Sequence, residues 1–136
     1  MAADRLSGNQ WISYGRSTKI ARVDGHLIGG AGVASVSRQF IEWFRAGRIP
    51  GDYPESMKDK DDGSTMLVIT PAREVTVYQR TAMPVLHDNK WYSIGSGQEV
   101  AAAVMHMGYD AVKAVEIACA VCTGCGGGID TLELLP

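Results

Sequence analysis

An Asp24-Gly25 pair stands in the middle of residues 18–31, Thr-Lys-Ile-Ala-Arg-Val-Asp-Gly-His-Leu-Ile-Gly-Gly-Ala, with apolar residues alternating on both sides of it. Asp and Gly both tolerate the left-handed backbone that a two-residue turn needs, and the alternation suits strands with a buried face. The segment therefore predicts a tight β-hairpin. The period then changes. Over residues 33–46, Val36, Phe40, Trp43 and Phe44 recur at helical spacing, with Ser35 as a candidate N-cap and Gly47 as a stop, which predicts an amphipathic helix. A hairpin feeding directly into such a helix demands a fold that layers helices on a sheet.

The rest of the chain supplies those layers. Residues 48–64 are rich in Pro, Gly, Asp and Lys and show no period, so they read as a surface excursion and the most disordered part of the chain. Residues 65–70 and 74–80 are β-rich runs separated by Pro71-Ala72-Arg73. Residues 91–95 read as another short strand after a loop at 87–90, and together these make an antiparallel meander. Residues 97–107, rich in Ala, Val and Met, read as a helix that starts just after Gly95-Ser96-Gly97 and stops at Gly108. Asp110 caps a second helix to about Ala120, with Val112, Val115, Ile117 and Ala118 as its apolar side, and residues 129–134 form a last strand. Strands and helices come in blocks instead of strict alternation, so the fold class is α+β with antiparallel sheets. At 136 residues the chain makes one domain, 1–136.

Composition closes off several functions. With 46% hydrophobic and 21% charged residues and a net charge of -2, the chain has the balance of a globular protein. The basic residues are scattered, so no nucleic-acid surface is expected, and Lys58-Asp59-Lys60-Asp61-Asp62 mixes both signs as a solvated loop does. The N-terminus has no apolar stretch behind a basic start, and no apolar run approaches the roughly 20 residues that span a bilayer. A cytoplasmic protein without membrane insertion is expected. Cys119, Cys122 and Cys125 are spaced C-x-x-C-x-x-C, which invites a metal or redox reading. A closed zinc site needs a fourth ligand, which a histidine could supply, but Cys119 and Cys122 follow the apolar helical pattern and read as small buried hydrophobes. No metal or cofactor is expected.

Several short motifs agree in order and spacing with one family. Met1-Ala2-Ala3-Asp4 resembles its second strand, which ends in Asp. Thr18-Lys19-Ile20 resembles its lysine strand, and Ile28-Gly29-Gly30-Ala31-Gly32 the entry to its first helix. Tyr92-Ser93-Ile94-Gly95-Ser96-Gly97 before an alanine-rich helix, and Ile129-Asp130-Thr131-Leu132-Glu133-Leu134 as a closing strand, complete the set. The chain resembles proteasome β-type subunits and the HslV peptidase, which are N-terminal-nucleophile hydrolases. Its compact form looks most like the small proteasome-like proteins of phage and prophage genomes. The resemblance implies a four-layer α/β/β/α sandwich and amide hydrolysis by an N-terminal threonine whose own α-amine acts as base. It also implies a homo-oligomeric ring acting on peptides or unfolded proteins, with an unfoldase as a possible partner.

Carried over by position, Lys19 sits beside the nucleophile and lowers proton affinities there, or is simply a surface lysine. Asp4 pairs with and orients Lys19, or is a strand-end carboxylate. The Gly29 N–H fills the oxyanion position, or the glycine serves a tight turn. Ser96 hydrogen-bonds near the terminal amine, or is an ordinary N-cap. Two departures from the family pattern stand out. The family's threonine opens a strand ahead of the segment matching Met1 to Asp4, whereas here Met1 is followed by Ala2, which has no nucleophilic side chain. The chain is thus expected to lack the first strand and to be inactive as it stands, its natural product beginning upstream. The alternative is a non-catalytic structural subunit of a proteasome-like ring. The second departure is near Val121, where an acidic residue common in the family gives way to Val121-Cys122-Thr123-Gly124-Cys125 and three glycines.

Overall fold

The computed structural model of the chain describes residues 1–8 and 13–136. The hairpin forms where the Asp-Gly pair predicts it. Strands β4 (Ile20–Val23) and β5 (His26–Ala31) pair antiparallel, and Asp24 and Gly25 both take positive φ, 46° and 77°. The chain before them holds β1 (Ala2–Asp4), β2 (Leu6–Gly8) and β3 (Ser13–Arg16). After the hairpin come β6 (Thr65–Ile69), β7 (Val75–Tyr78), β8 (Val85–His87) and, near the end, β9 (Ile129–Thr131). The strands β4-β5-β6-β7-β8 form one antiparallel sheet in chain order, while β1 pairs with β9 and β2 with β3.

Register explains why the five-stranded sheet is apolar on both faces. Ile28, Met66, Val68 and Tyr78 point to one side, and Ile20, Leu27, Leu67 and Val77 to the other; all eight are buried. Helix α1 (Ala34–Arg45) covers the first side with Val36, Phe40, Trp43 and Phe44. On the second side, a Cβ placed on Gly29 would lie 3.2 Å from the Met1 sulfur, so β1 approaches the sheet there. Helix α4 (Ala111–Val121) in turn packs on β1 and β9, and α3 (Gln98–His106) packs on α4.

Helix ends follow local chemistry, with one correction. Gly47 at φ 106° donates to Phe44 O and Arg48 N–H donates to Trp43 O, the paired bonds of a Schellman stop. Asp110 caps α4, its side chain accepting from Lys113 N–H at 2.8 Å. Ser35 does not cap α1. Val33 holds the N-cap place without a side-chain bond, and its own N–H donates to Ser64 Oγ at 3.1 Å, so the anchor comes from the far end of the excursion.

That excursion is the second correction. Residues 48–64 contain a 3₁₀ turn, Pro50–Asp52, and a short helix α2 (Glu55–Lys58), and they plant Tyr53 and Met57 in the core. The Tyr53 hydroxyl donates to Gln79 O at 2.6 Å, and burial, with Tyr78 beside it, pushes its pKa up to about 12. Two well-placed side chains override a composition that reads as loop.

Residues 91–95 form no strand; the fifth strand of the sheet is β8, at Val85–His87. Trp91 and Tyr92 spend their rings elsewhere, Tyr92 packing on His87 with centroids 4.4 Å apart and planes tilted by 40°, and Trp91 meeting His106 edge-on at 6.1 Å. Of the apolar side expected for α4, Ala118 is buried and Ile117 packs on the cluster shared with α3, whereas Val112 is exposed and Ala114 is buried in its place. The closing strand stops at Thr131, although Leu132 still exchanges backbone bonds with Met1. Among the described residues no helix is long and apolar enough to cross a membrane.

Gly32 tests the joint between β5 and α1. Its φ is 113°, and an added Cβ would lie 2.7 Å from the Ser64 backbone and 2.5 Å from Ser64 Oγ. Gly32→Ala is expected to destabilise the fold by about 2–3 kcal/mol, from backbone strain and overpacking together. Urea unfolding would measure this, and a cost below that of an ordinary surface substitution would disprove the close approach.

Candidate active site around Asp4 and Lys19

β1 ends at Asp4 and the hairpin begins just after Lys19, and the fold brings these two ends together. Lys19 Nζ lies 2.7 Å from Asp4 Oδ1, with the Asp4 side chain 13% and the Lys19 side chain 27% exposed. The pair is anchored from both sides. Lys19 O accepts from Gly30 N–H at 3.0 Å, extending the β4–β5 ladder by one bond. Asp4 Oδ2 accepts from Gly126 N–H at 3.0 Å and from Leu6 N–H at 3.3 Å. A carboxylate with two backbone donors on one oxygen and an ammonium on the other cannot swing freely, so the ammonium is held in place too.

Glycines 126–128 make that grip possible. All three take positive φ, at 155°, 77° and 103°, which lets the backbone curl around the end of β1. Gly126 O and Gly128 O both accept from Arg5 N–H, at 2.9 and 3.0 Å. Arg5 also reaches β9 through its side chain, with Nε donating to Asp130 Oδ1 at 2.7 Å. Sequence reasoning read this segment only as a departure from the family pattern and missed its role. The signal was the run of three glycines directly after the cysteine motif.

Ser96 does not cap α3: Gly97 holds that place, with no side-chain cap bond. Ser96 instead packs on the far side of the same loop. Its Oγ lies 2.9 Å from where Gly124 would carry a Cβ, and the Cys125 thiol lies beside it. Asp4, the 124–126 backbone, Cys125 and Ser96 are therefore one contiguous cluster.

Gly29 sits inside β5, with Ile20 opposite it in β4 and Leu67 opposite it in β6. Alternate N–H groups along a strand point to opposite neighbours; with Gly30 donating toward β4, the Gly29 N–H turns toward β6. An oxyanion role for that N–H thus competes with the sheet ladder. What Gly29 does supply is room: Ile20 and the Met1 side chain fill the space a larger residue would occupy.

The three cysteines are free and lie near this cluster. Burial, then the negative charge of Asp4, raise the Cys119 and Cys125 thiols above their ordinary value. Among the described residues no three of His, Cys, Asp and Glu are grouped as a metal ion would need.

No protein-family model and no curated protein matches the sequence. Solved structures do match in fold. HslV from Trypanosoma brucei superposes with a TM-score of 0.73 at 22% identity, covering 95% of this chain and 88% of that one. BPH from Thiobacillus denitrificans, in complex with epoxomicin, gives 0.69 at 19% identity, covering 99% of this chain and 92% of that one. A second structure of the same BPH gives 0.68 at 20% identity, with the same coverage. With antiparallel sheets, flanking helices and near-complete coverage of these proteins, the chain has the HslV/proteasome β-type fold.

Proposed function

We propose that the Asp4–Lys19 pair sets the charge of a threonine-type peptidase site, in a subunit that hydrolyses amide bonds of peptides or unfolded proteins. The observation that carries this reading is the half-buried ammonium of Lys19, fixed at 2.7 Å from a carboxylate that is itself held by two backbone N–H groups. A fixed positive charge lowers proton affinity at a neighbouring hydroxyl and amine, which is what a hydroxyl nucleophile working with its own α-amine requires. In this reading the nucleophile is a threonine carrying the free α-amine of the mature protein, since Ala2 offers no side chain for the task. Ser96 borders the same cluster and steadies the terminal amine. The subunit works in a four-layer sandwich and within an oligomeric ring, fed by an unfoldase.

The test starts from the protein made at its native locus, without a tag. Intact mass and N-terminal sequencing are expected to find threonine as the first residue. Epoxomicin, the compound held by the BPH structure, is expected to bind once per chain and stop peptide hydrolysis. A mature protein that begins at Met1 or Ala2 and neither binds epoxomicin nor cleaves peptides would sink the peptidase reading in favour of a non-catalytic ring subunit.

A further inference from the structure

A second chemistry sits in the turn that closes α4, and it stands whether or not the neighbouring site hydrolyses anything. Cys122 ends the helix, its N–H donating to Ala118 O at 2.8 Å. Three residues on, Cys125 N–H donates back to Cys122 O at 3.3 Å, with Thr123 and Gly124 as the central turn residues. A bond of this kind marks a β-turn, whose end Cα atoms lie within about 7 Å of each other. A disulfide spans about 4.4–6.8 Å between Cα atoms, so this turn presents its two cysteines at bridging distance. Cys119 is placed differently. It lies within α4, where residues three apart hold their Cβ atoms about 5–6 Å apart, beyond the roughly 3.5–4.5 Å that a disulfide requires.

We propose that Cys122 and Cys125 are a dithiol that closes reversibly to an intramolecular disulfide by exchange with a small-molecule disulfide, while Cys119 remains a free thiol. The exchange runs in two steps. One thiolate attacks a sulfur of the small disulfide, forming a mixed disulfide and releasing one thiolate. The second cysteine then attacks the protein sulfur of that mixed disulfide and releases the other thiolate. The two cysteines lose two protons and two electrons, and the small disulfide leaves as two thiols.

The turn is wired to the cluster beside it. A Cβ on Gly97 would lie 2.8 Å from Cys125 Sγ, so this sulfur rests on the start of α3, with Ser96 beside it. The next residue, Gly126, donates to Asp4. At least one of the two sulfurs must rotate for the bridge to close, and when Cys125 moves, its contacts with Ser96 and Gly97 change with it. Burial, then Asp4, raise the Cys125 thiol against the lowering effects of Ser96 and Lys19, so little of it is thiolate near neutral pH and its attack on a disulfide is slow.

The experiment exposes the folded protein to oxidised glutathione, quenches with acid, alkylates the remaining thiols and maps the peptides by mass. The expected product has a Cys122–Cys125 bridge and an alkylated Cys119, and dithiothreitol returns all three cysteines to the alkylated form. In Cys122→Ser, a glutathione adduct is expected to persist on Cys125, because no partner remains to resolve it. Three alkylated cysteines after oxidation, a stable adduct on the unmutated pair, or a bridge that includes Cys119 would each overturn the assignment.

Discussion

Phe40→Ala is expected to lower stability by about 3–5 kcal/mol, the usual cost of emptying a fully buried aromatic site. Phe40 is 0% exposed and lies at the centre of the ring cluster, with centroids 5.1 Å from Tyr78, 5.3 Å from Trp43, 6.0 Å from Phe44 and 6.3 Å from Tyr53. Those partners come from α1, the 48–64 excursion and β7, so one ring joins helix, excursion and sheet. The cavity left by alanine cannot collapse easily, because each wall is fixed by something else. Trp43 Nε1 donates to Ile49 O at 2.8 Å, and Tyr53 OH donates to Gln79 O. For a domain of this length the loss corresponds to a fall in Tm of about 10–20 °C. Phe40→Leu, which keeps most of the volume, is expected to cost about 1–1.5 kcal/mol. Thermal and urea unfolding of the two variants would decide the matter; equal costs would mean that Phe40 is not the centre of the core.

The same residues show what a sequence does and does not disclose. The Asp24-Gly25 hairpin and the Gly47 stop are local events, decided by backbone preferences of two or three neighbours, and both are found where the residues predict them. The fifth strand is decided at long range. Residues 91–95 have strand-like composition, yet Val85–His87 pairs with β7, since a strand needs a partner edge and propensity alone does not supply one. Tyr53 and Met57 were illegible for a related reason: a loop-like composition hides two residues whose burial depends on where α1 and β7 leave space. At the site, Asp4 and Lys19 were found through resemblance to a family, and the geometry joins them. The Gly126 contact to Asp4 spans 122 residues of chain, and no local pattern encodes a bond of that kind.

Asp4→Ala and Lys19→Met are expected to differ sharply although they remove the two halves of one ion pair. Removing Asp4 strands an ammonium that is 27% exposed and frees the N–H groups of Leu6 and Gly126 from their acceptor. The unpaired charge and the lost acceptor together cost about 2–3 kcal/mol, less than a fully buried pair because water still reaches Lys19. Lys19→Met leaves Asp4 with both backbone donors, and its methylene-like chain fills the space of the lysine stem, so about 1 kcal/mol is expected. The asymmetry follows from the wiring: Asp4 carries three bonds and Lys19 carries one side-chain bond, so Asp4 organises the loop and Lys19 takes its place from Asp4. Activity should not follow the stability ranking. If Lys19 supplies the fixed charge, Lys19→Met lowers peptide hydrolysis by about 100-fold or more, out of proportion to its small effect on folding. Unfolding curves and kcat/KM for the mature protein, measured side by side, give both orders. Equal destabilisation by the two variants would show that the Gly126 and Leu6 bonds do not hold Asp4, and full activity in Lys19→Met would remove the lysine from the chemistry while leaving its place in the fold intact.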